Sequence, residues 1–314
     1  MSKLALGTVC SVRVYQKAEP SVFTAVFKRL SEIEDIFSPH IYSSNLNSIN
    51  ENSGVSTVRV PNELIFVLKT ALYYAEISDG AFNPALGPLI QLWDIGGDNP
   101  RIPSPVEIEN ALSLCSWRDV EINEDDGTVF LRKDGMALDL GAIVKGYAAD
   151  ETARILKEAG VKKALIDFGG NILALGAKQE AGFLRKEILW RIGVQDPVKE
   201  RGDYVAAISV KDATLVTSGV YERFFEKNGV RYHHILSFKT GMPVENSLAS
   251  VTIIQAADAE YASMQADALS TTIFALGCEQ GPSFLQKFPG TEAVFILKTG
   301  EIMETDGLKG RLSK

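Results

Sequence analysis

Past residue 160 the chain becomes one strand-like run after another: KALIDF, turning through GGN into ILALG, then EILWRIGV, VAAISV, VRYHHIL and SLASVTII. Helical patterns fill the earlier part, and the two kinds of segment never settle into the strand-helix-strand rhythm of a doubly wound parallel sheet. The arrangement predicts an α+β chain. Before this region, LALGTVCSVRVY (4–15) reads as a strand. PSVFTAVFKRLSEIEDIF (20–37) reads as a helix, because Val22, Val26, Leu30, Ile33 and Phe37 recur at helical spacing.

HIYSSNLNSINENSG (40–54) is rich in Ser and Asn and predicts a loop. A second helix, 61–80, carries proline in its first turn and closes near Gly80. WDIGGDNPRIPSPVEIE predicts a surface excursion before a short helix around 105–115. The segment 258–276 predicts a helix closed by Gly277, and EAVFILKTGEIME predicts a hairpin bending at Thr299 and Gly300. No repeat or low-complexity linker divides the chain, so residues 1–314 read as a single unit, two lobes without a clear linker being the alternative layout.

Composition narrows the function. A formal net charge of −8, with no clustered Lys and Arg, argues against a nucleic-acid partner. Three scattered cysteines, Cys10, Cys115 and Cys278, make neither a CxxC site nor a complete disulfide framework, and read as small core residues. No window approaches the roughly 18 consecutive apolar residues of a membrane span, and the first fifteen residues do not read as a signal peptide. The chain thus reads as soluble, though a leader already removed would leave no trace.

Four stretches invite a chemical reading. ADALSTTIFALG (266–277) sets Asp267 four residues before Thr271, a carboxylate and a hydroxyl on one helical face amid core residues. MALDLGAIVKGYAAD (136–150) leads from a β-like segment through a glycine-flanked loop into a helix, a layout that suits an anion at the helix start, with Lys145 adding charge. It is not a P-loop, since Lys145 precedes Gly146 rather than following the second glycine; a tight turn with a solvated lysine is the competing account. SDGAFNPALGPL (78–89) holds an Asn-Pro turn able to present backbone groups to a flat ring or merely to stiffen a connection. VTSGVYERFFEKNGVRYHHIL (216–236) places Tyr221, Glu222 and Arg223 after a Ser-Gly turn and His233 and His234 on a strand, where neighbours face opposite sides and only one can reach a shared site.

Together LGTVCSV, SDGAFNPALGPLIQLW, LDLGAIVKGYAAD, LIDFGGNILALG, WRIGVQDP, VTSGVYERFFEKNGVRYHHI, KTGMPV and ADALSTTIFALG resemble, in order and over nearly the whole chain, the ApbE family of flavin transferases, the FAD:protein FMN transferases. The resemblance implies a T-fold-like set of mixed sheets with packed helices and a flavin site in a cleft between lobes. It implies an enzyme that, with Mg²⁺, cleaves FAD, attaches FMN to Thr or Ser of a target protein and releases AMP. By the same resemblance the metal would be held by Asp267, Thr271 and the carbonyl of Ala142. Asp139 and Lys145 would line the flavin site, Ala81, Phe82 and Asn83 would contact FAD, Leu6 would sit against a ring, and His234 with Ile235 would lie near the phosphates. Lys145 and His234 are the candidate catalytic residues, the first stabilising charge and the second moving a proton.

The implied acceptor carries a D-x-x-S/T-G-A-T/S-like segment, in a subunit of a membrane redox complex. The implied setting is the periplasm, on a lipid anchor whose leader is absent from this chain. Three departures from the family pattern stand out. SPHIYSS puts His40 where a tyrosine commonly stacks on the cofactor, HILSF has Ser237 and Phe238 for Asp and Pro, and GAFNP has Asn83 for Asp. The first favours water as acceptor, so a Mg²⁺-dependent FAD pyrophosphatase is the alternative enzyme, and a non-catalytic flavin-binding protein the alternative outside catalysis.

Overall fold

A computed structural model describes residues 1–181, 186–199 and 202–313. Seven α-helices are present among these residues: α1 (Pro20–Phe37), α2 (Asn45–Glu51), α3 (Asn62–Ile77), α4 (Gly87–Trp93), α5 (Pro105–Leu112), α6 (Val144–Glu158) and α7 (Ala262–Leu285). The centre is an eight-stranded sheet in the order 2–5, 8–14, 164–168, 171–175, 213–219, 248–256, 292–297 and 302–304. All its pairings are antiparallel. The mixed α+β architecture expected from the order of segments is the one observed.

Strand side chains alternate between two apolar layers, as period-2 geometry requires. Ile253 and Phe295 join the helices in one cluster with Leu30, Leu68, Leu269 and Ile273. Their neighbours Ile254, Val294 and Ile296 face the opposite way, against Trp190, Ile192 and Ile208. Those last residues belong to a small sheet formed by 190–195, 204–210 and 312–313. A third cluster gathers α4 and α5 (Leu89, Trp93, Ile108) with Tyr232, Leu236 and Phe238. It covers the end of the molecule that carries the 224–227/230–233 hairpin.

Local chemistry corrects several expectations. The first strand is a hairpin, because Leu6 and Gly7 both adopt left-handed backbone (φ 53° and 68°) and reverse the chain. The 40–54 loop contains α2: its Ser44 hydroxyl accepts from the Asn47 amide at 3.0 Å, and Leu46 and Ile49, three apart, are buried. One cap and one apolar pair outweigh a Ser/Asn-rich composition. The Asn-Pro turn runs directly into α4, and residues 136–140 form no strand. Pro61 caps α3 rather than entering its first turn. The last helix starts at Ala262, breaks its helical geometry at Gly277 (φ 72°) where the sequence placed the stop, and resumes to Leu285. Cys10 and Cys115 are buried and Cys278 half-buried, all three free. No helix among the described residues is long and apolar enough to cross a membrane.

Candidate active site

The site forms where the start of α6 meets α7. Gly146 lets the two helices touch: a side-chain carbon there would lie 2.6 Å from Met264 Cα. Across this contact the Gly146 amide donates to Asp267 Oδ2 at 3.0 Å, and Lys145 Nζ stands 3.6 Å from Oδ1. Asp267 is only 3% exposed. Burial raises its pKa, opposed first by the Lys145 charge and then by the Gly146 amide. A buried carboxylate with one partial cationic neighbour favours a further cation.

Two more oxygens accompany it. Thr271, one turn along α7, lies half-buried with its hydroxyl 3.3 Å from Ser218 Oγ. The Gly146 N–H, which a regular helix would send to the Ala142 carbonyl, is committed to Asp267, and no hydrogen bond to that carbonyl is found among the described residues. Asp267, Thr271 and the Ala142 carbonyl are hard oxygen donors of the kind Mg²⁺ takes together with substrate oxygens and water. No cluster of three or more His, Cys, Asp or Glu suited to a metal occurs among the described residues.

Lys145 is also anchored backwards, donating to the Gly141 carbonyl at 2.7 Å. Asp139 turns the same loop by accepting from the Gly141 amide at 2.8 Å. The Asp139 amide in turn donates to Pro84 O at 2.8 Å, which joins the Asn-Pro turn to the lysine loop. Within that turn Phe82 and Asn83 point inward, at 2% and 8% exposure. Asn83 donates to Cys115 O and accepts from the Ala85 amide, each at 2.8 Å. The aspartate usual in the family pattern could not make the first of these bonds, so asparagine here has its own structural use. Ala81 is half-buried, and a ligand would meet it and the turn's backbone rather than the two buried side chains.

The histidines separate as strand geometry implied, with the strand ending at His233. His233 is buried, its Nε2 at 3.0 Å from Val244 O and its Nδ1 accepting from the Ile235 amide at 3.3 Å. Both its nitrogens are engaged. His234 turns the other way, and its Nδ1 lies 3.2 Å from Arg223 O. A carbonyl only accepts, so Nδ1 carries the proton and Nε2 keeps its lone pair. Enclosure by protein and then the Arg223 charge, with smaller contributions from His233 and Lys145, push its pKa down to about 3, although part of the ring stays open to solvent. His234 is therefore a neutral imidazole close enough to Lys145 to feel its charge.

Ile235 is buried beside it, its carbonyl accepting from the Val244 amide at 2.9 Å. Leu6 is half-buried in the 6–7 turn, whose neighbour Gly7 abuts the Arg223 side chain. His40 is exposed on the loop before α2. Ser237 and Phe238 have structural uses too: Ser237 Oγ accepts from the Lys239 amide, and Phe238 meets Trp117 edge-on at 5.0 Å.

Sequence reasoning overlooked a supporting network. Asn171, in the GGN turn, is buried beside Asp267 and accepts from Ser263 Oγ at 2.7 Å. Asp150 accepts from the Ser263 and Met264 amides and so caps α7. Two grooves along α3 are lined by residues such as Phe66, Tyr73 and Tyr261, and hold none of the candidate metal- or flavin-contacting residues, although the second reaches Met264 at the α6–α7 contact.

Known proteins resemble this chain over nearly its whole length. The ApbE family matches residues 6–295. A Treponema pallidum protein named FAD:protein FMN transferase is 39% identical over 99% of this chain and 88% of its own length. A Klebsiella pneumoniae protein of the same name is 33% identical over 99% and 93%. The crystal structure of the ApbE protein from Thermotoga maritima, 31% identical, superposes with a TM-score of 0.87 over 100% of this chain and 99% of that one. With a profile match across nearly its full length and relatives above 30% identity over almost all of it, the chain belongs to the ApbE family.

Proposed function

We propose that this protein is a Mg²⁺-dependent FAD:protein FMN transferase. The observation that carries it is the buried Asp267 carboxylate beside Lys145, one turn from Thr271 and bonded to the Gly146 amide that leaves the Ala142 carbonyl without a hydrogen bond among the described residues, in a chain whose relatives bear that name. Asp267, Thr271 and the Ala142 carbonyl would hold the metal. When bound, Mg²⁺ would supply Lewis-acid stabilisation of charge on the phosphate oxygens.

The protein's own groups carry the remaining work. Lys145, fixed at Gly141 O and Asp267, presents a positioned charge to the pyrophosphate. An acceptor Thr or Ser hydroxyl attacks the FMN phosphorus in line with the bond to AMP. The new P–O bond forms as the bridging P–O bond breaks, and that electron pair leaves on the AMP oxygen. His234 Nε2, with its lone pair free, would take the hydroxyl proton once the negative phosphates of bound FAD offset the Arg223 and Lys145 charges that, after enclosure by protein, depress its basicity. The acceptor is a protein segment of the D-x-x-S/T-G-A-T/S kind in a membrane redox complex, and the setting is the periplasmic face, where a lipid anchor would hold the enzyme; the family resemblance alone supports these two assignments.

The exposed position of His40 favours some hydrolysis beside transfer, because an exposed imidazole covers a flavin less than a tyrosine does. The test is incubation with FAD, in Mg²⁺ or EDTA, with and without a peptide carrying the acceptor segment. Magnesium-dependent AMP release with FMN on the peptide supports transfer, while free FMN alone supports the pyrophosphatase. FAD that stays bound and intact in both conditions refutes catalysis.

A further inference from the structure

Arg223 has no part in the chemistry above, yet its side chain follows an unusual route. It leaves the 224–227/230–233 hairpin at the residue whose carbonyl accepts from both the His234 amide (3.1 Å) and His234 Nδ1 (3.2 Å). From there it passes Gly96, where a side-chain carbon would lie 3.2 Å from Arg223 Cδ, and ends at Gly7, where one would lie 3.1 Å from Nη2. Both glycines have left-handed backbone, φ 89° and 68°. Two separate loops thus leave room for this one side chain, Gly96 along its stem and Gly7 at its guanidinium.

Among the described residues no ion pair or side-chain hydrogen bond engages that guanidinium. Lys145, the other cation near His234, is already offset by Asp267. The unbalanced positive charge lies on the His234 side of the site, next to the 6–7 turn.

We propose that Arg223 binds a phosphate of the FAD pyrophosphate through its guanidinium fork, as a substrate-binding residue distinct from Lys145. The assignment rests on FAD being the substrate. A planar fork matches two phosphate oxygens, which the single ammonium of lysine cannot do. Held beside His234 and the 6–7 turn, it would fix the phosphate from that side of the site. The rigid route past Gly96 and Gly7 limits the rotamer entropy lost on binding.

The test measures binding to wild type, Arg223→Gln and Arg223→Lys in EDTA, so that FAD is not consumed, using FAD, riboflavin and inorganic pyrophosphate. The expected result is a loss of about tenfold or more for FAD and pyrophosphate in Arg223→Gln, the size of a hydrogen-bonded charge contact. Arg223→Lys should recover part of it, and riboflavin affinity should stay constant. Unchanged FAD and pyrophosphate affinities overturn the proposal, as does an equal loss for riboflavin and FAD, which would mean the side chain only shapes the site. Melting temperatures of both variants identify a folding defect, and the lysine variant, which keeps most of the stem, retains the test if glutamine unfolds the protein. Failure of wild type to bind FAD would instead overturn the transferase assignment itself.

Discussion

Replacing Gly146 by alanine tests the contact on which the site is built. The added methyl would sit 2.6 Å from Met264 Cα and from the Ser263 carbonyl carbon, and closer still to the Ser263 oxygen. Carbon atoms pack at about 3.5–4.0 Å, so α6 and α7 must part by roughly 1 Å. Forced overpacking costs about 1–3 kcal/mol, of which alanine's helix preference returns up to ~1 kcal/mol. A net loss of about 1–2 kcal/mol lowers the melting temperature of a chain this size by roughly 1.5–3 °C. The same movement stretches the Gly146–Asp267 hydrogen bond from 3.0 Å and shifts Lys145 against the carboxylate. Misplacement by about 1 Å can cost on the order of 10²-fold in rate. Differential scanning of the variant and the rate of Mg²⁺-dependent AMP release from FAD give the two readouts. Wild-type melting and turnover would refute the helix contact, and a lowered melting temperature with unchanged turnover would refute its link to the site.

Four further outcomes are expected. Asp267→Asn should lower Mg²⁺-dependent FAD cleavage at least about 10²-fold and lose the rise in melting temperature expected when Mg²⁺ is added to wild type; a rise retained in the variant would place the metal elsewhere. His40→Tyr should tighten FAD binding and slow release of free FMN, and weaker binding in fluorescence titration would contradict stacking at this position. Asn83→Asp removes the donor to Cys115 O and buries a charge, so a destabilisation of about 1–3 kcal/mol is expected from denaturant unfolding; a neutral result would show that the turn re-pairs. Burial raises the Asp150 pKa from 3.8 to about 7, so the folded state keeps a proton that the unfolded chain has already released, and stability from this group falls as pH rises between those values. Relative to Asp150→Asn, wild type should therefore melt comparatively lower at pH 8 than at pH 4.5, and a difference independent of pH would show that the two amide bonds keep the carboxylate ionised.

Much of the molecule was legible from local chemistry. Val22 through Phe37 announced α1 because burial of one face is a property of spacing, and Gly277 marked the break in α7 because left-handed backbone strongly favours glycine. Asp267 and Thr271 stood out as oxygens inside an apolar pattern. Less legible was α2, whose stability comes from Ser44 and two buried residues, and the hairpin at Leu6–Gly7, where a non-glycine residue takes positive φ.

By itself the sequence determined the α+β class, the alternation that gives the sheet two apolar faces, and the oxygen-bearing face of α7, since each follows from short-range periodicity and residue chemistry. Tertiary structure alone decided which groups meet. The Gly146 amide reaches Asp267 across 121 positions, Asp150 caps a helix more than a hundred residues away, and Arg223 threads between Gly7 and Gly96 to flank His234. Such contacts depend on how two helices and three loops pack over one sheet. Their energy is non-local, and so no local pattern encodes them.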